Sequence, residues 1–248
     1  MERFRCTALV LGGVDYGESD RVITLMTEER GRLAAFARGA RKSKRRFAGV
    51  LEPFTLLNAQ LCETRGDLCR LDGAEVLDGF GELREDIART ARAAYAAELT
   101  RELAREREPQ PDLFALLHGF LTGLARQGAG PLQLMRFELA ALAAGGLMPQ
   151  LDACARCGDE DPRDALFDPE HGGILCPKCA TGLGVRVSSA ASGVLSALQR
   201  PLGAAAETLA PAAHVRAEAR SLLSRFVAHH LGRRLRTLDF MKQVGVEM

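Results

Sequence analysis

The sequence contains no tryptophan and only two tyrosines among 248 residues, and aromatic residues make up 5%. An interior must therefore be filled by the 11 phenylalanines and by aliphatic side chains, and few aromatics remain for stacking on bases. No apolar run reaches about 18 residues, so no membrane-spanning helix and no membrane partner is expected. Neither charge sign dominates: 33 Lys and Arg face 32 Asp and Glu, a net charge of +1. That total points to no partner, and any electrostatic function must come from distribution. The opening Met1-Glu2-Arg3-Phe4-Arg5 leads into a short apolar patch broken by Gly12-Gly13. It has neither the hydrophobic region nor the small-residue cleavage site of a secretory signal, and a cytoplasmic location is expected. There, seven cysteines read as thiols or metal ligands, not disulfides.

Several motifs are also missing. No G-x-x-x-x-G-K-[ST] phosphate loop, no G-x-G-x-x-G and no H-E-x-x-H occurs. The H-x-E of the zinc deaminases is missing too. The chain is expected not to be an enzyme.

What is present is an ordinary globular mixture, 47% hydrophobic and 26% charged. Residues 1–78 read as β. Thr7–Leu11, Arg21–Met26, Leu33–Ala37, Phe54–Leu61 and Leu68–Leu71 are short aliphatic runs, with a turn-rich loop expected over Gly12–Asp20. Short strands with glycine turns over that length suit a small closed barrel. From Leu83 the period changes. Leu83, Ile87, Ala91, Tyr95, Leu99 and Leu103 recur every four residues and predict one long helix ended by Pro109 and Pro111. Further helices are expected over Leu113–Leu124, Leu132–Leu142, from Ser188 or Ser189 to Leu198, and from Ala212 to Leu231. Ala204–Ala206 belong to a stretch that is merely alanine-rich.

The sharpest chemical signal is Cys154-Ala-Arg-Cys157 followed, after 18 intervening residues, by Cys176-Pro-Lys-Cys179. Two C-x-x-C knuckles can close a tetrahedron around one Zn²⁺. Four thiolates leave no open coordination position, so a structural role is expected for the one zinc. His171 lies within the segment and could substitute, though four cysteines suffice. Cys6, Cys62 and Cys69 have apolar surroundings and read as small buried hydrophobes.

The second signal is Arg38, Arg41, Lys42, Lys44, Arg45 and Arg46, six cations in nine residues with no acid. Alone, such a run is most often a solvated loop. Beside a small barrel it suits phosphate neutralisation along a DNA strand. Phe36, Phe47 and Phe54 are the candidate stacking aromatics, each more often core than platform. A third signal is Arg233, Arg234 and Arg236, after the final long helix, in a segment from residue 181 that carries nine bases against four acids. These arginines either complement a helix dipole or form a second basic surface. Residues 151–180 are acidic by contrast, with three bases against seven acids.

The order of these features resembles the RecO family of bacterial recombination mediators. The resemblance runs through Tyr16-Gly-Glu18-Ser-Asp20 to Gly31, Ala37-Arg-Gly39-Ala-Arg41-Lys-Ser, Leu51-Glu-Pro53-Phe54, the Gly146-Leu-Met-Pro149 and cysteine segments, and Leu231-Gly232-Arg233-Arg-Leu-Arg236. It implies an α+β chain: a five-stranded OB-fold barrel over 1–78, then a helical domain over 79–248 carrying a four-cysteine zinc module at about 151–180. It implies binding of single- and double-stranded DNA, annealing of complementary strands, pairing with RecR, contact with the acidic tail of single-strand-binding protein, and indirect help to RecA, all at the nucleoid. The alternatives from the residues are a zinc-ribbon adaptor that binds only protein, or a zinc-dependent nucleic-acid enzyme.

Overall fold

Among the first strands one keeps the two-residue burial period of a half-buried strand throughout, while others also bury adjacent residues. Along Gly31–Ala37 every second side chain is buried and those between are not. In the computed structural model the described residues are 2–43, 46–160, 163–180, 182, 184–200 and 209–247. They fall into two compact units, Met1–Ala129 with Thr237–Val246, and Gly130–Arg236 with Glu247–Met248.

The first unit begins with a closed barrel in the strand order β1-β2-β3-β5-β4. Its strands are β1 (Arg3–Tyr16), β2 (Asp20–Thr27), β3 (Gly31–Ala37), β4 (Leu56–Cys62) and β5 (Cys69–Asp78). All neighbours are antiparallel except β3 and β5, whose parallel pairing closes the barrel. This is the OB-fold arrangement. The interior is aliphatic: Ile23, Leu25, Leu57 and Leu61 are essentially inaccessible. Each contributes roughly 1.5–3 kcal/mol by leaving water. Cys6, Cys62 and Cys69 are buried, as expected of small hydrophobes; burial pushes the Cys6 thiol up to about 12.

The loop expected over residues 12–20 is mostly strand. β1 continues to Tyr16, paired with β2 down to Asp20, and only Gly17–Ser19 turn. The register shifts between Val10 and Gly12. Gly12, at φ 149°, takes a backbone conformation that a side chain would strain. The glycines that suggest a break instead permit a bulge within a longer hairpin.

The helix expected from Leu83 to Leu103 is two. α1 (Glu82–Glu85) stops at Asp86, whose extended backbone breaks the run. The Asp86 side chain then caps α2 (Ile87–Leu103), accepting from the N–H groups of Ala88 and Arg89 at 2.7 and 3.0 Å. Those donors, the Arg89 N–H foremost, hold its carboxyl below the usual range. α2 ends at Leu103, before either proline, and Pro111 opens α3 (Pro111–Gln127).

The second unit holds α4 (Pro131–Ala144), a three-stranded sheet, α5 (Ser189–Gln199) and α6 (Ala213–Leu231). The sheet order is β7-β6-β8, from β6 (Leu166–Asp168), β7 (Gly173–Leu175) and β8 (Val185–Arg186). Ser188 caps α5 through Ala191 N–H. A further helix, α7 (Arg236–Gln243), follows α6, and most of it belongs to the first unit. Ala204–Ala206 lie outside the described residues. Among the described residues no helix is long and apolar enough to cross a membrane.

Candidate metal centre and nucleic-acid interface

Two tight turns present the four cysteines. In the first, Gly158 N–H donates to the Cys154 carbonyl at 2.9 Å. In the second, the N–H groups of Cys179 and Ala180 both donate to the Cys176 carbonyl at 3.0 Å. β7 ties the turns together. Ala155 N–H donates to Ile174, and Gln150 clamps both sides of Gly173. A Cβ on Gly173 would come within 2.1 Å of the Gln150 carbonyl oxygen, so only glycine allows this approach.

The ligand atoms of Cys154, Cys157, Cys176 and Cys179 all lie within 4.8 Å of one another, and they could hold a metal ion. Cys157 and Cys176 Sγ are 3.7 Å apart. A tetrahedron with metal–sulfur bonds of about 2.3 Å has edges of roughly 3.8 Å, so the spacing fits. Cys154 and Cys176 are buried, Cys179 half-buried and Cys157 exposed. Burial would raise the Cys154 thiol, but N–H donors from Cys176, Cys157 and Arg156 outweigh it and bring it down to about 6. Cys179 is pushed up to about 12, chiefly by Cys157 and then Cys176. One thiolate therefore forms readily and further ones are opposed, an opposition that a bound dication would remove. His171 is not part of the cluster; its Nδ1 lies 2.9 Å from Asp168 Oδ2.

The basic run follows β3 and folds back over the β1–β2 turn. Arg41 N–H donates to Ser19 O at 2.9 Å, and its guanidinium reaches Gly17 O at 3.2 Å and Asp15 at 3.2 Å. Lys42 lies 4.0 Å from Glu18. Gly39 N–H donates to Asp20 at 2.7 Å, which holds that carboxyl below its ordinary range. Arg46 donates to the Arg38 carbonyl, and its guanidinium lies 4.5 Å from the Phe47 ring centre. Arg38, Arg41, Lys42 and Arg46 are exposed. Lys44 and Arg45 lie outside the described residues. The run has no acid of its own, but the fold sets Asp15, Glu18 and Asp20 against it. Only pairing register brings these together, and no local sequence signal announces it.

Phe47 and Phe54 are core, at 4% and 7% exposure. Phe36 is half-buried and meets Tyr16, whose ring sequence reasoning missed. Arg233 and Arg234 lie beyond Gly232, the left-handed cap of α6, and Arg236 opens α7. All three are exposed.

Comparison with known proteins decides the family. The model for Recombination protein O N terminal matches residues 1–80, and that for Recombination protein O C terminal matches 84–239. The chain belongs to the RecO family. It is 53% identical over 247 residues to the DNA repair protein RecO of Myxococcus xanthus, covering 100% of both chains. It is 52% identical to that of Anaeromyxobacter sp. strain K, covering 99% of this chain and 98% of the relative. With that of Geobacter sulfurreducens identity is 38%, over 98% and 99%. RecO membership supports a role in DNA repair and recombination.

Proposed function

We propose that the chain is a non-catalytic mediator of recombinational repair. It binds single- and double-stranded DNA, anneals complementary strands and, with RecR, helps RecA load where single-strand-binding protein coats DNA. The observation that carries this reading is the exposed basic loop of Arg38, Arg41, Lys42 and Arg46 mounted on a closed barrel in a RecO chain. Lys44 and Arg45 belong to the same run. In functional terms residues 1–78 are the DNA-binding module and 79–248 the helical module. Arg233, Arg234 and Arg236 supply a second basic surface that suits phosphates or the acidic tail of single-strand-binding protein. The site of action is the cytoplasmic nucleoid.

Cys154, Cys157, Cys176 and Cys179 would hold one Zn²⁺. Their donor set supports a structural ion, since four thiolates fill a tetrahedral shell and leave no position for a substrate or a reacting water. The same argument disfavours a zinc-dependent nucleic-acid enzyme. Bound zinc would supply a cross-link between the two turns.

The loop acts by exchange. Phosphate displaces Asp15 from Arg41 and Glu18 from Lys42, while the backbone contacts of Arg41 hold the loop in place. The expected signature is sequence-neutral affinity with a log K against log[salt] slope of roughly −3 to −4 on a single strand. Replacing Arg41 and Lys42 with Ala should flatten that slope by roughly 1–2 units. Salt titration of oligonucleotide binding measures both. An unchanged slope, or a strong base preference, removes the loop from the interface, and no binding at low salt favours the protein-only adaptor.

A further inference from the structure

The outer face of the barrel carries a row of apolar residues, Val14, Val22 and Phe36, that the described residues cover only in part. Val14 pairs with Val22, Val22 with Phe36, and Phe36 with Arg70, which places the four side by side across β1, β2, β3 and β5. The next row, Ile23, Ala35 and Cys69, is inaccessible and lies inside the barrel. By the two-residue alternation of strands, Val14 and Phe36 therefore face out. Val14 is 66% exposed, and Tyr16, two residues on and on the same face, is 62% exposed. The Tyr16 and Phe36 rings meet edge to face, with centres 5.7 Å apart at 81°. The chain has two tyrosines, and it buries the other, Tyr95. An exposed ring braced by a second ring is a poor use of scarce aromatic surface unless something covers it.

The surroundings say what that is. Tyr16 directly precedes the turn whose Gly17 carbonyl receives Arg41, so its backbone adjoins the basic loop. Arg38 follows Phe36 by two residues, and Arg70 ends the row. A ligand that fits must offer flat apolar faces joined by closely spaced negative charges. An unpaired DNA strand does; a duplex hides its base faces in its own stack.

We infer that Tyr16, braced by Phe36, is a stacking platform for unpaired bases, which gives this barrel face a preference for single-stranded over duplex DNA. The inference rests on the basic loop's binding DNA and adds a residue and a strand discrimination to it.

The test uses the full chain, an oligothymidylate strand and a duplex of equal length. Tyr16→Ala should weaken single-strand binding by about 5- to 150-fold, the range for losing a base-stacking aromatic, and leave duplex binding and the salt slope unchanged. Tyr16→Phe should bind as the wild type does. Because the chain has no tryptophan, Tyr16→Trp supplies a single reporter on the platform; saturating oligothymidylate should quench it and the duplex should not. Equal losses on both DNAs, an unchanged single-strand affinity, or an unquenched tryptophan at saturation each overturn the platform. If the wild-type chain retains salt-sensitive binding while Tyr16→Ala is indifferent, the platform alone fails and a protein partner becomes the better occupant. If the wild-type chain binds neither DNA at low salt, both readings fail.

Discussion

Two buried carboxylates show how single residues hold this chain. Glu138 on α4 is inaccessible, and one of its oxygens lies 2.6 Å from Arg220 Nη1 on α6. Its other oxygen has no hydrogen-bond partner among the described residues. Removing the arginine would leave a buried carboxylate without its countercharge, which costs more than the intact pair contributes. Arg220→Met should therefore destabilise the second unit by about 3–5 kcal/mol, while Glu138→Leu with Arg220→Met recovers most of the loss. Denaturant unfolding of both variants measures the difference; similar stabilities would show that the site is already wet. Glu98 works differently. It accepts from the N–H and hydroxyl of Thr237 at 2.9 and 2.7 Å, serving the exposed donors at the start of α7. Neither carboxylate was legible in the sequence. Their partners lie 82 and 139 residues away, and a glutamate on a helix looks alike whether it meets water or a distant arginine.

At the scale of elements, the sequence was most legible where local chemistry decides. Pro131 opens a helix, Ser188 caps one, and the double C-x-x-C brings its four sulfurs together. It was misleading where two local signals competed. Leucine periodicity runs through Asp86 unbroken, yet capping wins there because a carboxylate serving two N–H donors outweighs one more helical turn. The cysteine module offers the sharpest test at this scale. Its strands have only two or three residues each, and its core cluster consists of Cys154, Leu175 and Cys176 with Cys179 and Ala180 beside them. Leu151, Phe167 and Ile174 are also buried in this segment, but around the sulfurs themselves apolar packing is slight, and metal ligation is expected to hold the two turns. We expect purified protein to carry one zinc per chain. Cys157→Ser or a strong chelator should loosen residues 151–180, seen as faster amide exchange there, while the β1–β5 barrel keeps its protection. Metal-free protein with an equally protected module would show that the turns stand on their own hydrogen bonds.

For the molecule as a whole, net charge is the least informative number and distribution the most. Annealing brings two polyanions together, and no phosphate-loop motif offers nucleotide hydrolysis to drive it. Under the proposed annealing role the protein would have to lower strand repulsion by itself, and it carries cations on both compact units: the Arg38–Arg46 loop on the first, and Arg233, Arg234 and Arg236 on the second. Binding through two sites raises the local concentration of one strand near the other without any new contact. The competing account is that the terminal arginines only complement a helix dipole, a surface effect of about 0.3–1 kcal/mol. It suits Arg233 and Arg234, which lie just past the C-terminal end of α6, but not Arg236, which opens α7 where the dipole favours an anion. The two accounts separate in one variant. If the arginines meet DNA, Arg233→Ala with Arg234→Ala slows annealing of complementary oligonucleotides while the melting temperature stays within a degree or two of wild type. If they serve the helix, the melting temperature falls modestly, by about 1–4 °C, and annealing per folded molecule does not change. Annealing should proceed in either case without added nucleotide, and a strict requirement for ATP would contradict the non-catalytic reading.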